Sequence, residues 1–510
     1  MIMEQLPILI PLPLLMLAFL VPLIGLRYRT LVFPLALLGS ALSFLAAVAT
    51  LTRVLSRGVV RYRLGGWPPP WGIEYVVDHL SGFLSALIAF MGLLVVIYSR
   101  RSVSQELPGR LVPFYTVVLL LLTGLQGIVV TGDLFNLYVF LEIASLSAYA
   151  LMAVGEERAP MATFRYLLFG TVGASFYLLG VGFLYVSTGS LNMADVAKRL
   201  PDLYASRAVQ AALALISVGL GLKMALFPLH TWLPDAYTYA PSAVTALIAP
   251  IMTKVSAYAM LRVLFTVFEP SFSRDWLHVT TVIGWLAAAG IVAGSVMAIA
   301  QQDFKRMLAY SSIAQVGYIG LGIGLANRIG LIGALLHIVN HAFMKGCLFL
   351  IAGGIRYRTG QGNIPGFIGL ARVMPWTTGA FVVAALSMVG VPPLGGFFSK
   401  WYLVLGALEA RNLAFVAVIL VGSLLTAVYF FRMIETLHLK GEALQHPSTA
   451  EVPKAGIPGV QLFPPKGSGR ELPVSMLIPI LVLAGGIVAL GLFNSYLVDY
   501  LLWMALPVRL

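Results

Sequence analysis

Residues 221–236 read GLKMALFPLHTWLPDA. An almost uncharged apolar run leads into this stretch from Arg207, so Lys223 falls deep in a hydrophobic helix, with Pro228 just beyond it. A lone ammonium in hydrocarbon costs at least a few kcal/mol, and a proline inside a helix removes a backbone donor and interrupts the ladder. Something must offset both.

The composition around the stretch fixes the class of protein. Of 510 residues, 59% are hydrophobic and 10% charged, whereas soluble domains are about one quarter charged. Runs of roughly 20 apolar residues recur from end to end, each long enough to cross a hydrocarbon core of about 30 Å as a helix. The sequence therefore predicts an all-α integral membrane protein with no segment left over for a soluble enzyme domain. Spans are expected near 6–26, 31–52, 79–99, 112–131, 133–154, 161–188, 208–230, 241–268, 276–300, 307–326, 329–354, 376–402, 412–432 and 474–504. That is about fourteen helices, which places both termini on one side. Lys and Arg are in excess in the loops holding Arg27, Arg100, Lys305, Arg356 and Arg432, which favours termini on the outer side of the plasma membrane. The first apolar run has no basic leader and no small-residue cleavage site, so it reads as a retained helix.

Composition also excludes functions. The single cysteine, Cys347, lies in an apolar helix, so this chain alone makes no internal disulfide, iron–sulfur cluster or Cys-rich zinc site. A net charge of +13 sits mainly in short loops, as membrane topology demands, and nucleic acid is not an expected partner. No Gly-rich phosphate loop follows a strand. No cofactor and no metal is expected, and any redox catalysis must come from partner chains.

Two spans are interrupted in the same way. Pro228 breaks the seventh, and VPPLGG, with Pro392, Pro393, Gly395 and Gly396, breaks the twelfth; each span carries one lysine, Lys223 and Lys400. Paired interruptions in corresponding halves point to a transporter built from repeats around discontinuous helices. Five spans per unit make the repeat inverted. The expected division is helices 1–3 in residues 1–110, a first five-helix repeat (helices 4–8) in 111–270, a second (helices 9–13) in 271–435, and a polar loop with a last helix in 436–510. Residues 433–473, rich in Pro, Gly and Lys, read as a surface-lying or disordered linker. Proline and glycine are also common in membrane helices for no such reason, and that reading stands beside the first.

The polar residues at depth are few. Glu142 lies about 14 Å past Asp133 and about 21 Å before Glu156; Lys254 lies about 20 Å past Pro241 and about 12 Å before Arg262. Both are near mid-membrane, as one half of a static ion pair or as part of an ion path. Lys223 could instead snorkel if its helix ended at His230. His337, His341 and Lys345 recur at intervals of four on one slowly drifting helical face, which Asn340 extends, and imidazoles both donate and accept protons. Buried packing histidines, or a metal pair lacking an evident third ligand, are the other readings. Lys400, flanked by Ser399 and Trp401, is either the end of the polar row or an interfacial anchor. Glu142, Lys223, Lys254, His337, His341, Lys345 and Lys400 are assigned as proton-transfer residues. A carboxylate and an ammonium about 4 Å apart attract by about 4 kcal/mol at an effective dielectric near 20, so separating Glu142 from Lys223 should release a proton and restoring the pair should recapture one.

At this point the residues resemble a known group. DLFNLYVFLEIASLSAYALM, GLKMALFPLHTWLPDAYTYAPSAVTALIAPIMTKVSAYAMLRV, QQDFKRMLAYSSIAQVGYIGLG, LLHIVNHAFMKGCLFLIAGG and SMVGVPPLGGFFSKWYLV look like the antiporter-like subunits shared by respiratory complex I, Mrp-type sodium/proton antiporters and membrane-bound hydrogenase or sulfane reductase complexes. The resemblance runs from about residue 75 to about 435. It implies fourteen helices, two inverted repeats, broken helices seven and twelve, and a central proton path, with Glu142 as the helix-five glutamate, Lys223 the helix-seven lysine, Lys254 the helix-eight lysine, His337 and His341 the helix-eleven histidines and Lys400 the terminal group. A lysine rather than a glutamate at that last position is more similar to the D-type chain of Mrp antiporters. The function implied is a proton-translocating subunit of a larger membrane complex, with other membrane subunits, the bilayer and protons as partners and sodium as a second candidate ion. A stand-alone cation/proton or solute transporter, and a passive scaffold for a redox arm, are the alternatives.

Overall fold

A computed structural model describes residues 5–155, 158–438 and 471–506. Most of the expected linker 433–473 lies outside the described residues. The chain is almost wholly helical: α1 (Leu12–Gly25), α2 (Val32–Arg57), α3 (His79–Glu106), α4 (Leu111–Val130), α5 (Leu134–Ala153), α6 (Ala159–Thr188), α7 (Met193–Arg199), α8 (Arg207–Lys223), α9 (Leu233–Tyr239), α10 (Ser242–Arg262), α11 (Val279–Ile299), α12 (Phe304–Leu325), α13 (Arg328–Thr359), α14 (Leu370–Val373), α15 (Pro375–Val389), α16 (Gly395–Glu409), α17 (Leu413–His438) and α18 (Val474–Leu492), followed by short helical turns to Ala505. Among the described residues, eleven helices are long and apolar enough to cross a membrane, or twelve if 364–389, bent by 119°, is one span. The expected fourteen is not met by that measure, because α1 has 14 residues and the interrupted helices yield pieces of 17 (α8) and 15 (α15, α16).

One expectation needs correction: the chain is nearly, but not wholly, α-helical. Between α2 and α3 a hairpin pairs β1 (Val60–Arg63) with β2 (Glu74–Val77), antiparallel, with Val60 opposite Val77 and Arg63 opposite Glu74. The intervening LGGWPPPWG is turn chemistry that ends each strand. Glu74 is buried and accepts from Arg61 and from Asn192, the N-cap of α7, so the hairpin is tied to the polar end of the bundle.

Hydrophobicity alone does not say which helices are central. α10 is buried along its entire length and α13 nearly so, whereas α2, α6, α17 and α18 bury one side only. The outer faces carry exposed Leu45, Phe164, Leu179, Val282 and Leu424, as expected where lipid rather than water is the neighbour. Close approach of the inner helices relies on small residues. A Cβ on Gly324 of α12 would lie 2.3 Å from the Cα of Gly284 on α11, so the two backbones touch. Gly324→Val is expected to destabilise the protein by about 1–3 kcal/mol through overpacking, read as a lower melting temperature in detergent; an unchanged melting temperature would contradict that contact.

At one end of α3, the Asp78 N-cap carboxylate bonds Ser81 N at 2.9 Å and pairs with Arg262 at the end of α10, whose Nε also donates to Tyr258 Oη at 2.9 Å. Burial by itself would raise the Asp78 carboxyl; the adjacent guanidinium and the cap bonds outweigh it and hold the group down to about 2. Because the folded-state value is depressed, the contribution is complete above about pH 4 and fades only as pH falls toward 2. Asp78→Asn is therefore expected to cost about 2 kcal/mol, by the same amount at every pH from 5 to 8, in denaturation of the purified protein. A deficit that changes across that window would overturn the assignment.

Candidate functional site: a buried row of lysines and histidines

The two helix breaks place the first and last lysines. α8 ends at Lys223 itself, five residues before Pro228. The residue before a proline disfavours helical geometry, and the chain turns through Ala225, which has positive φ, before resuming as α9. Leu226 N bonds back to Gly221 O at 2.9 Å, and Trp232 Nε1 donates to Leu222 O at 3.2 Å while stacking on Tyr166 with centroids 3.9 Å apart. Carbonyls freed by the break are thereby satisfied, and Lys223 occupies the last turn of a half-helix, where the macrodipole favours a cation. The second break spans 390–394, with Gly390 at φ +95° as the cap of α15. Pro392 and Pro393 lie inside it. Gly395 and Gly396, expected to be part of the interruption, instead open α16. They are small because a Cβ on Gly396 would fall 1.9 Å from Ser387 O, and one on Gly395 2.5 Å from Asn340 Oδ1.

Lys223 Nζ lies 2.6 Å from Ser145 Oγ and 3.5 Å from Glu142 Oε1. The lysine is 3% exposed, which removes snorkelling; Glu142 keeps 27% of its side chain accessible. Ser145 carries no signal of its own in the sequence, although its position three residues after Glu142 puts both on one face of α5. Lys254 donates to Ala249 O at 2.6 Å and contacts Thr253 Oγ1 at 3.3 Å. No carboxylate pairs with it among the described residues, so the ion-pair reading of Lys254 fails.

On α13, the His337 and His341 rings stack, with centroids 5.8 Å apart and planes 19° apart. His337 Nδ1 is 2.9 Å from Ser399 Oγ and Nε2 3.0 Å from Gln315 Oε1, whereas neither ring nitrogen of His341 has a protein partner. Lys345 reaches α12, as His337 does through Gln315, donating to Leu308 O at 2.7 Å and Ser311 Oγ at 2.9 Å; Tyr429 Oη donates to the same serine. Asn340 does not extend the histidine row: its amide donates to Gly395 O at 2.7 Å and pins the start of α16. Lys254 is near enough to His337, His341 and Lys345 for its charge to act on all three.

Lys400 closes the row. It is 6% exposed, which excludes an interfacial anchor, and Trp401 alone faces outward. Its Nζ contacts three oxygens, Met388 O at 2.9 Å, Val389 O at 3.0 Å and Ser423 Oγ at 3.0 Å, and lies 4.9 Å from the centre of the Tyr318 ring. The freed carbonyls at the end of α15 thus cradle the Lys400 ammonium, whereas at the first break the lysine is carried by the half-helix itself and reaches across to α5. Tyr318 also packs on His337, with centroids 5.3 Å apart. Gln315, Tyr318 and Ser423 are further site residues that the sequence reading passed over. Gln315 and Ser311 stand four apart on α12, but uncharged polar residues at depth give no signal until the facing helix is known.

Fold and site together define a multi-pass membrane protein of the antiporter-like class. The chain belongs to the family whose model is described as NADH:quinone oxidoreductase/Mrp antiporter, TM, which matches residues 131–426. It is 54% identical to NADH-quinone oxidoreductase subunit N of Desulforudis audaxviator over 93% of each chain, and 34% identical to a Na(+)/H(+) antiporter subunit of Alkalihalophilus pseudofirmus over 73% of this chain and 75% of that one. Among solved structures it is similar to a chain of the membrane-bound sulfane sulfur reductase, an archaeal respiratory membrane complex, with a TM-score of 0.86 and 33% identity, covering 98% of this chain and 97% of the other. These relatives are subunits of multi-subunit membrane assemblies.

Proposed function

We propose that this chain carries protons along the middle of the membrane through Glu142, Lys223, Lys254, His341, His337 and Lys400, with Lys345 as a side branch, inside a larger complex whose other subunits supply the driving reaction or gradient. The observation that carries the reading is that Lys254, Lys345 and Lys400 are buried without a carboxylate partner among the described residues. A permanently charged, unpaired ammonium in such a place is strongly unfavourable, and a lysine that takes up and gives up a proton is not permanently charged. The unpartnered nitrogens of His341 suit bridging water. Moving Glu142 away from Lys223 would free the latter's proton, and the charge would then pass from group to group.

Two inverted five-helix repeats, 111–270 and 271–435, fit an internal correspondence. Asp133 caps α5 and bridges to Asn192; Asp303 caps α12 and bridges to Asn363. The half-helix lysines Lys223 and Lys400 follow in the same order. Taking α1 and each interrupted pair, α8–α9 and α15–α16, as spans brings the helix count to fourteen, with both termini on the outer side. The test is acidification of proteoliposomes containing the parent complex once its driving reaction starts. The doubly altered Lys223→Ala, Lys254→Met complex should keep the driving reaction and lose dye quenching, and undiminished quenching would refute the reading.

A further inference from the structure

Ser399 precedes Lys400 in the second turn of α16 and is fully buried. Its hydroxyl faces two acceptors, His337 Nδ1 at 2.9 Å and Gly396 O at 3.1 Å. The other ring nitrogen, Nε2, lies 3.0 Å from Gln315 Oε1. An amide oxygen only accepts, so Nε2 keeps its hydrogen in both charge states of the ring, and Nδ1 is the nitrogen whose hydrogen comes and goes. The Gln315 amide is fully buried and its NH2 has no other partner, so its orientation rests on the contact with Nε2 alone, and the nitrogen-15 spectra below test it. Turning the ring over to exchange the two nitrogens is opposed by the packing of Tyr318 and the near-parallel His341 ring against it, with centroids 5.3 and 5.8 Å away.

Two hydrogen-bond patterns then fit the same heavy-atom positions. When the ring is neutral, Nδ1 accepts the Ser399 O–H. When the ring is cationic, Nδ1–H donates to Ser399 Oγ and the hydroxyl hydrogen turns to Gly396 O. A hydroxyl has one hydrogen, so its direction must switch with the charge of the ring.

We propose that Ser399 is the hydroxyl through which His337 exchanges its proton, with Gln315 the positioning residue that confines exchange to Nδ1; this rests on the proton-conducting reading above. In the uptake step the Ser399 O–H bond breaks as Nδ1–H forms, and the serine oxygen takes a replacement proton from a protonated water, so one proton enters, one is delivered and serine is unchanged. Release runs in reverse. The serine sits beside Lys400, which ties the central histidine to the last lysine at the helix break.

The test uses the intact parent complex in proteoliposomes. Ser399→Ala is expected to lower proton translocation by about tenfold or more, within the range for loss of a proton-transfer group, and Ser399→Thr, which restores a hydroxyl, to return it to within about twofold of the unaltered complex. Nitrogen-15 spectra of histidine-labelled complex should show neutral His337 as the Nε2–H tautomer only, with the Nδ1–H form appearing in Gln315→Leu. Translocation by Ser399→Ala at the unaltered rate, while Lys254→Met abolishes it, would overturn the role of Ser399 alone; no effect from either substitution would overturn the proton-conducting reading itself. Should Ser399→Ala not assemble, the tautomer in the unaltered complex decides: neutral His337 carrying its hydrogen on Nδ1 would sink the proposal.

Discussion

Lys254→Met is expected to abolish coupled proton translocation while leaving the protein as stable as before, or more so. The two halves of that outcome have one cause. Lys254 lies on the wholly buried α10, its ammonium held by one carbonyl and one hydroxyl with no carboxylate among the described residues. Replacing a buried charged group by an apolar side chain of similar length removes a desolvation penalty and keeps the packing. The same replacement removes the exchangeable group between the Lys223 half and the histidine half of the row. A reduction of at least about tenfold is expected, as for loss of a proton-transfer group. The measurement pairs proton uptake by vesicles with the melting temperature of the complex. A variant that pumps within about twofold of the original would mean that protons bypass α10; one that is dead and also unfolded would mean that Lys254 is structural.

The second large effect is at the opening residue. Lys223→Ala should also lower translocation by at least about tenfold, but here stability should fall. Alanine leaves Ser145 and the partly accessible Glu142 without their partner at the end of α8. The gross attraction between such charges about 4 Å apart is near 4 kcal/mol at an effective dielectric of 20, of which only a fraction is net, because Glu142 is reached by solvent and desolvation opposes it. Glu142→Gln in the same assay should also slow translocation, because it leaves the buried Lys223 with Ser145 and no counter-charge. Full pumping by Lys223→Ala would break the proposed path at its first lysine.

The depth arithmetic put Glu142 and Lys254 far from the ends of their helices, and in the structure Lys254 is buried while Glu142 stays partly accessible. Spacing by four put His337 and His341 on one face, and their rings do stack. Lys345, four residues further on, meets Leu308 O and Ser311 on α12, the helix whose Gln315 meets His337. The hairpin was missed because VRYR and EYVV, each four residues long, carry little pattern amid far stronger helical signals. Ser399 and Gln315 were illegible for a different reason: a serine or glutamine at depth gains meaning only from the atom opposite it.

By itself the sequence determined that the chain lives in a membrane, that two of its helices break, and which ionisable residues fall far from any loop, since those properties follow from local composition and the 1.5 Å rise of a helix. Only the tertiary structure decided which helix is central, that the second break turns the carbonyl end of α15 onto Lys400, and which hydroxyl or amide faces the His337 nitrogens. Those depend on residues tens to hundreds of positions apart meeting across packed helices, and lipid-facing and buried apolar positions look alike in a membrane sequence because both are apolar.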